Sequence, residues 1–301
     1  MRVLIPLDVR SGNGKAVSVA GARPWPASTA FCLLHVLVPA TPPMVVPRLF
    51  EVSKKTILER LDRAAEPLRK AGWNVRTEVR TGSRARAINS FAKEWAADLI
   101  MVGSHERSVS ACRLLGGTAQ SVMRHAPCSV EIVRDEWSSS IVDFTGGGGR
   151  KILLPTDGSE FSAAALKSVA ARPWPKGTRL KVISVPEFIL TKDSSYLESH
   201  EIGELGDLGS ASLEDAKQCI AKAREILSGS SLDVCSEVPE YEGRPKDAIL
   251  QEGEKWHADL IVLGSHGRSG FDRVVMGSVS EAVALHAKCS VEIIREHRSP
   301  E

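Results

Sequence analysis

Ala258-Asp259-Leu260-Ile261-Val262-Leu263-Gly264-Ser265-His266-Gly267 is repeated earlier in the chain as Ala97-Asp98-Leu99-Ile100-Met101-Val102-Gly103-Ser104-His105-Glu106. Nine residues intervene in each copy before Gly277-Ser278 and Gly116-Gly117, respectively. Each stretch is an apolar run that passes into a glycine-bearing turn and then into a helical pattern. A strand, a glycine turn and a helix N-terminus in that order are the usual way a backbone surrounds a phosphate. The copies differ where it matters: Gly267 is matched by the carboxylate of Glu106, and Ser278 by Gly117. Two similar halves are expected to do different jobs.

Outward from this loop the register holds at both ends of each half. Val3-Leu4-Ile5-Pro6-Leu7-Asp8 pairs with Ile152-Leu153-Leu154-Pro155-Thr156-Asp157, and Ala22-Arg23-Pro24-Trp25-Pro26 with Ala171-Arg172-Pro173-Trp174-Pro175. Cys128-Ser129-Val130-Glu131-Ile132-Val133-Arg134 pairs with Cys289-Ser290-Val291-Glu292-Ile293-Ile294-Arg295. The second half is longer, and its extra residues fall between its second and third strands.

Short β-branched runs alternate with helical patterns, which predicts an α/β fold of two tandem domains, each a five-stranded parallel open sheet with helices on both faces. In the second half strands are expected near 151–157, 178–185, 232–239, 259–264 and 289–295, with helices near 161–171, 210–229, 246–257 and 277–287. The first strands are continuous apolar runs, as in sheets buried on both faces. In the last strand Ser129, Glu131 and Val133 alternate with Val130, Ile132 and Arg134, so one face is partly polar, as at a domain or subunit interface.

The domains are read as 1–134 and 151–296, with 135–150 as linker. The linker carries four consecutive glycines, Gly146 to Gly149, which hold no fixed conformation cheaply and mark a tether. The 39 basic and 37 acidic residues leave a net charge of +2, too balanced to imply a nucleic-acid or membrane partner. Cys32, Cys112, Cys128, Cys219, Cys235 and Cys289 show no C-x-x-C spacing and several lie in apolar runs, as buried thiols of a reducing compartment do. His125/Cys128 and His286/Cys289 supply two ligands per copy, short of a structural zinc. Met1 leads straight into a strand pattern and no apolar stretch approaches the ~20 residues of a span, so a cytoplasmic location is expected.

In an open parallel sheet, ligands bind beyond the carboxyl ends of the strands where strand order reverses. Asp157 is read as closing the first strand of the second half, Val185 as closing the second, and Gly264 to Ser278 as the long loop after the fourth. Gly267 and Gly277 would let the backbone approach phosphate oxygens. Ser278, Val279 and Ser280 would open a helix whose free N–H groups and dipole favour an anion. Ser278 reads equally well as the N-cap. Gly12-Asn13-Gly14-Lys15 lacks the rest of a P-loop, and Gly264-Ser265-His266-Gly267 does not match G-x-G-x-x-G. Phosphate binding would therefore rest on amides, hydroxyls and Arg268.

Gly264-Ser265-His266-Gly267-Arg268-Ser269-Gly270, Gly277-Ser278-Val279-Ser280-Glu281 and the first-strand Pro155-Thr156-Asp157-Gly158-Ser159 together resemble the universal stress protein (UspA) family, in two tandem copies over essentially the whole chain. The ATP-binding members of that family carry G-x2-G-x9-G-[ST]. The resemblance implies an adenine-nucleotide α-hydrolase-like, Rossmann-like fold, pairing of domains through the last strand, and an ATP site with Mg²⁺. It implies that Asp157 holds the ribose and the Val185 backbone meets adenine, with Leu263, Gly264, Gly267, Gly277, Ser278, Val279 and Ser280 around ribose and phosphates. Whether the last strands pair within the chain or in a homodimer stays open.

The first half keeps Asp8 and Val36 but carries Glu106 and Gly117. A carboxylate beside a polyphosphate is repulsive by about 1 kcal/mol or more, so nucleotide binding in 1–134 is not expected unless a metal bridges Glu106 to phosphate. The repeated Trp25/Trp174 and Trp95/Trp256 read as corner and helix-end packing. His105 and His266 lie in the loop, but no G-x-S-x-G elbow accompanies them, so no catalytic residue is assigned and the protein is not expected to be an enzyme. The expected function is ATP binding in the second half as a conformational or association signal in a stress response. An interaction scaffold that binds no nucleotide and a weak ATPase are the alternatives, and joint retention of Gly267, Gly277 and Ser278 disfavours the scaffold.

Overall fold

The computed structural model describes residues 1–9, 14–39, 47–104, 115–134, 149–186, 199–241, 243–268 and 276–295. Glu106 and most of the Gly/Ser-rich linker lie outside the described residues. The first half runs β1 (Arg2–Pro6), α1 (Lys15–Ala22), β2 (Ala30–Leu37), α2 (Pro47–Lys70), β3 (Asn74–Thr81), α3 (Arg84–Glu94), β4 (Leu99–Gly103), α4 (Gly117–His125), β5 (Ser129–Val133). The second runs β6 (Lys151–Pro155), α5 (Glu160–Ala170), β7 (Arg179–Ile183), α6 (Ser199–Leu227), β8 (Asp233–Glu237), α7 (Pro245–Lys255), β9 (Leu260–Gly264), α8 (Ser278–His286), β10 (Ser290–Ile294).

The strands form one ten-stranded sheet in the order β3-β2-β1-β4-β5-β10-β9-β6-β7-β8. Neighbours within each half are parallel, and the two halves meet where β5 runs antiparallel to β10, with Glu131 opposite Glu292. β1 lies between β2 and β4, and β6 between β7 and β9, so strand order reverses there, as a doubly wound sheet requires.

The repeat is held by repeated bonds. Asp98 Oδ2 accepts from the Arg2 amide at 2.6 Å and Asp259 Oδ2 from the Lys151 amide at 2.8 Å, each tying the start of the first strand to the start of the fourth. Trp25 Nε1 donates to Ala20 O at 2.7 Å and Trp174 Nε1 to Val169 O at 2.8 Å, which gives both indoles a buried donor's partner at the helix-to-strand corner. Trp95 and Trp256 are the C-caps of α3 and α7, followed in each case by a residue of positive φ, Ala96 at 50° and His257 at 55°.

The two faces of the sheet are closed differently. On one face a single apolar cluster crosses the seam, running from Val122, Met123, Val130 and Ile132 to Val283, Ala284, Val291 and Ile293. On the other face the apolar core is split into one cluster about Val3, Phe31 and Leu61 and another about Ile152, Val169 and Leu227. Between them lie Glu131 and Glu292, both at 0% exposure. Arg23 Nη1 stands 2.8 Å from Glu131 Oε2, and Arg172 forks onto Glu292 at 2.7 and 2.8 Å. Burial, aided by the charge of Arg23, draws the nearby Arg150 down to about 10. The partly polar face expected for the last strand is this buried ionic seam.

Several boundaries differ from expectation. β6 ends at Pro155, so Asp157 stands in the turn beyond it, after the Thr156 amide has made its bond to Ile183 O at 2.8 Å. β7 ends at Ile183, and Val185 lies past it, next to Pro186, which has no amide to donate. α6 starts at Ser199, eleven residues ahead of 210, because periodicity in the inserted Gly-containing segment is weak.

Candidate functional site

The loop after β9, the turn after β6 and the amino end of α8 meet beyond the carboxyl ends of β6 and β9. Three glycines let them meet. A Cβ on Gly264 would stand 2.7 Å from the Phe161 carbonyl carbon, one on Gly267 3.0 Å from Asp157 Oδ2, and one on Gly277 3.3 Å from Ser265 O and His266 Cα. Gly158, at φ +77°, carries the β6 turn past α6, where its Cβ would strike Cys219 Sγ at 2.8 Å.

Gly277 is the N-cap of α8, with extended φ and ψ, and its amide returns to Ser265 O at 2.9 Å. Ser278 is accordingly the first helical residue and not the cap, and its side chain is exposed. The first intrahelical bond runs from the Glu281 amide to Gly277 O at 2.9 Å. The amides of Ser278, Val279 and Ser280 precede that bond and belong to the positive end of the helix dipole. Ser280 Oγ, in contrast, donates to Gly264 O at 2.7 Å, so that hydroxyl braces the loop and only its amide faces the helix end.

Asp157 is half-buried. Its Oδ1 accepts from the Ser159 amide at 3.0 Å and from Ser159 Oγ at 2.6 Å, and its Oδ2 accepts from the Arg268 amide at 3.1 Å. Arg268 also bonds the Asp157 carbonyl through Nε, Asp215 Oδ2 at 3.1 Å through Nη1 and Cys219 Sγ at 3.1 Å through Nη2. Arg268 thus ties two of the predicted site segments, the β6 turn and the β9 loop, to α6, which was not among them. Ser159 caps α5, its Oγ accepting from the Ser162 amide at 3.2 Å. Pro155, Thr156 and Leu263 are buried, and Thr156 Oγ1 is held to Ser162 Oγ at 3.1 Å, so these residues shape the site from behind. Val185 packs against the core at the same sheet end. His266 is buried against the Phe161 ring at 4.9 Å with Nδ1 3.0 Å from Ser265 Oγ, a packed position.

Sequence reasoning missed Asp215 and Cys219, because they lie on α6, 53 and 49 residues from Arg268, and no local motif marks them. It also passed over Glu281 of α8, which Arg124 of α4 contacts from the other half at 2.7 Å.

The first half keeps the loop's return: the Gly116 amide donates to Ser104 O at 3.1 Å and Gly116 caps α4. Around it the fit is looser. Among the described residues, a Cβ on Gly103 or Gly117 meets nothing within 4 Å.

A doubly wound sheet with a glycine loop and an open helix end at its switch point defines a class of α/β proteins whose ligand crevice lies beyond the carboxyl ends of the strands. The family model for the universal stress protein family matches residues 1–134 and 149–295, and the chain belongs to that family. A universal stress protein of Mycolicibacterium smegmatis is 24% identical, over 97% of this chain and 96% of its own length. One of Methanocaldococcus jannaschii is 28% identical over 49% of this chain and 82% of its own. Among solved structures, a universal stress protein of Archaeoglobus fulgidus superposes with a TM-score of 0.61 at 18% identity, covering 98% of this chain and 96% of that one. A universal stress protein solved in complex with cAMP aligns over 44% of this chain and 96% of its own, with 24% identity and a TM-score of 0.35.

Proposed function

We propose that the second half binds ATP and uses it as a conformational or association signal in a stress response, with the first half as structural partner. The observation that carries this reading is the convergence of Gly267, Gly277 and the leading amides of α8 with Asp157, where any side chain at 267 would fill the space beside the carboxylate. In it Asp157 and the Val185 backbone take the nucleoside, and the Gly264, Gly267 and Gly277 backbone with Ser278, Val279, Ser280 and Arg268 takes the phosphates. Mg²⁺ arrives with the phosphates, since among the described residues no group of three His, Cys, Asp or Glu side chains converges.

Turnover is not part of the proposal. Asp157, the carboxylate beside the glycine turn, is occupied by Ser159 and Arg268 and serves to position, so bound ATP should stay intact over many binding lifetimes. A cytoplasmic setting fits the thiols Cys32, Cys128, Cys219, Cys235 and Cys289, none in a disulfide. Among the described residues no helix is long and apolar enough to cross a membrane. The β5–β10 seam is read as the pairing kept within one chain in solution; a monomer by light scattering supports it, and a dimer built on exchanged halves refutes it.

The test is a calorimetric titration of ATP with Mg²⁺ into the full chain beside Gly267→Glu, which copies the first-half residue into the second. The expected result is a single site per chain that disappears in the variant. No binding by the wild type would overturn the reading and leave an interaction scaffold.

A further inference from the structure

Glu281 stands in the first turn of α8, the end that faces the candidate phosphates. A carboxylate there suits the helix dipole but opposes a second anion at the same end. Its charge is met from the other half of the molecule: Arg124 Nε of α4 donates to Glu281 Oε1 at 2.7 Å.

Arg124 is held in place by the seam. Arg295, at the end of β10, donates to Met123 O at 2.8 Å, Arg124 O at 3.1 Å and Ala126 O at 2.6 Å, closing the carboxyl end of α4. Arg134, at the end of β5, does the same for α8 through Ala284 O at 2.7 Å and Leu285 O at 3.1 Å. The two clasps are related by the pseudo-twofold axis of the sheet. The Arg124–Glu281 pair is not: the mates of Arg124 and Glu281 are Leu285 and Gln120, which cannot form an ion pair. The first turn of α8 is met by a cation from the neighbouring half, and the matching positions at α4, Gln120 with Leu285, supply no such pair.

We propose that the first half supplies charge to the nucleotide site of the second: Arg124 cancels Glu281 at the phosphate end of α8, so polyphosphate affinity, unlike adenosine affinity, depends on the pairing of the halves. This regulation rests on the ATP reading above. It gives the degenerate first half a task for which its own loop is not needed. A partner or condition that parts the halves would weaken ATP binding without touching the loop.

The experiment compares ATP and adenosine binding by full-length wild type, Arg124→Gln, Glu281→Gln and the double variant, with thermal melting to verify folding. Through a solvent-like dielectric at roughly 10 Å, removing Arg124 should weaken ATP binding roughly three- to tenfold at low salt, less at high salt, and leave adenosine unchanged. Adding Glu281→Gln should restore ATP affinity. Unchanged ATP affinity in Arg124→Gln, a parallel fall for adenosine, or no restoration in the double variant would overturn the proposal while leaving the ATP site standing. A wild type that binds neither ligand would overturn both.

Discussion

Glu131 and Glu292 face each other across the antiparallel β5–β10 seam, both fully shielded from solvent, and each is met by an arginine of its own half, Arg23 or Arg172. Like charges opposite one another destabilise a strand pair, so the pairing depends on these arginines. The arrangement also selects register. A slip of either strand by one residue would turn its carboxylate into the continuous apolar cluster on the other face and away from its arginine.

Acid should loosen this seam. Burial pushes the Glu292 carboxyl up, but the charge and hydrogen bonds of Arg172, with Arg23 and Arg150 behind them, hold it below the usual range. A depressed folded pKa contributes stability that is present above the unfolded value of about 4.3 and is lost as pH falls through the folded one. Melting temperature should therefore drop steeply below about pH 4, and Glu292→Gln should flatten that limb while lowering stability at neutral pH. An acid limb unchanged in Glu292→Gln would show that other carboxylates govern it.

Removing one member of the Arg172–Glu292 pair should cost more than removing both. Arg172→Met leaves a buried carboxylate with reduced compensation, for which about 3–5 kcal/mol is the usual loss. Arg172→Met with Glu292→Leu replaces charge by apolar volume and should recover much of it. Urea unfolding of the single and double variants measures the difference, and a double variant weaker than Arg172→Met would refute the account.

The same glycine in the two halves should answer differently to alanine. At Gly264 a Cβ would lie 2.7–2.9 Å from Phe161, mostly backbone, so Gly264→Ala should cost about 1–3 kcal/mol and disturb ATP binding. At Gly103, an exposed position, a Cβ meets none of the described residues, and Gly103→Ala should stay within about 0.5 kcal/mol of wild type. Equal effects in chemical denaturation would mean that α5 does not hold the second loop tightly.

These contrasts mark how far the sequence could be read. Strand and helix order, tandem organisation and the glycine loop were legible because each is local: a β-branched run, a glycine spacing, a repeated Arg-Pro-Trp-Pro corner. The polar face of β5 announced an interface through Glu131 and Glu292. What stayed hidden depends on elements far apart in sequence. That Arg268 would reach Asp215 and Cys219 follows from the packing of α6 beside α5, which brings the β9 loop against residues 53 and 49 positions away. Ser278 looked like a cap, yet Gly277 takes that position because the loop returns to Ser265 one residue earlier. The charge beside α8 comes from Arg124, 157 residues away.

A last asymmetry lies under α7. Lys181 of β7 is nearly buried, with Nζ 2.6 Å from Glu252 Oε1 and in contact with Glu237. Burial draws this lysine down, but hydrogen bonds and charge from the two carboxylates hold it above its usual value. At the matching positions the first half has Cys32 and Phe91, both buried and apolar. One repeat fills this space with ions and the other with a thiol and a ring, so the ions serve the second half's packing and not the fold in general. Lys181→Met alone should destabilise by about 3 kcal/mol, since Glu252 would be left buried without its cation, whereas Glu237 is half-exposed and can turn to water. Lys181→Cys with Glu252→Phe, the first-half pair, should lie closer to wild type than Lys181→Met in urea unfolding. A pair less stable than Lys181→Met would show that the two halves are not interchangeable at this layer.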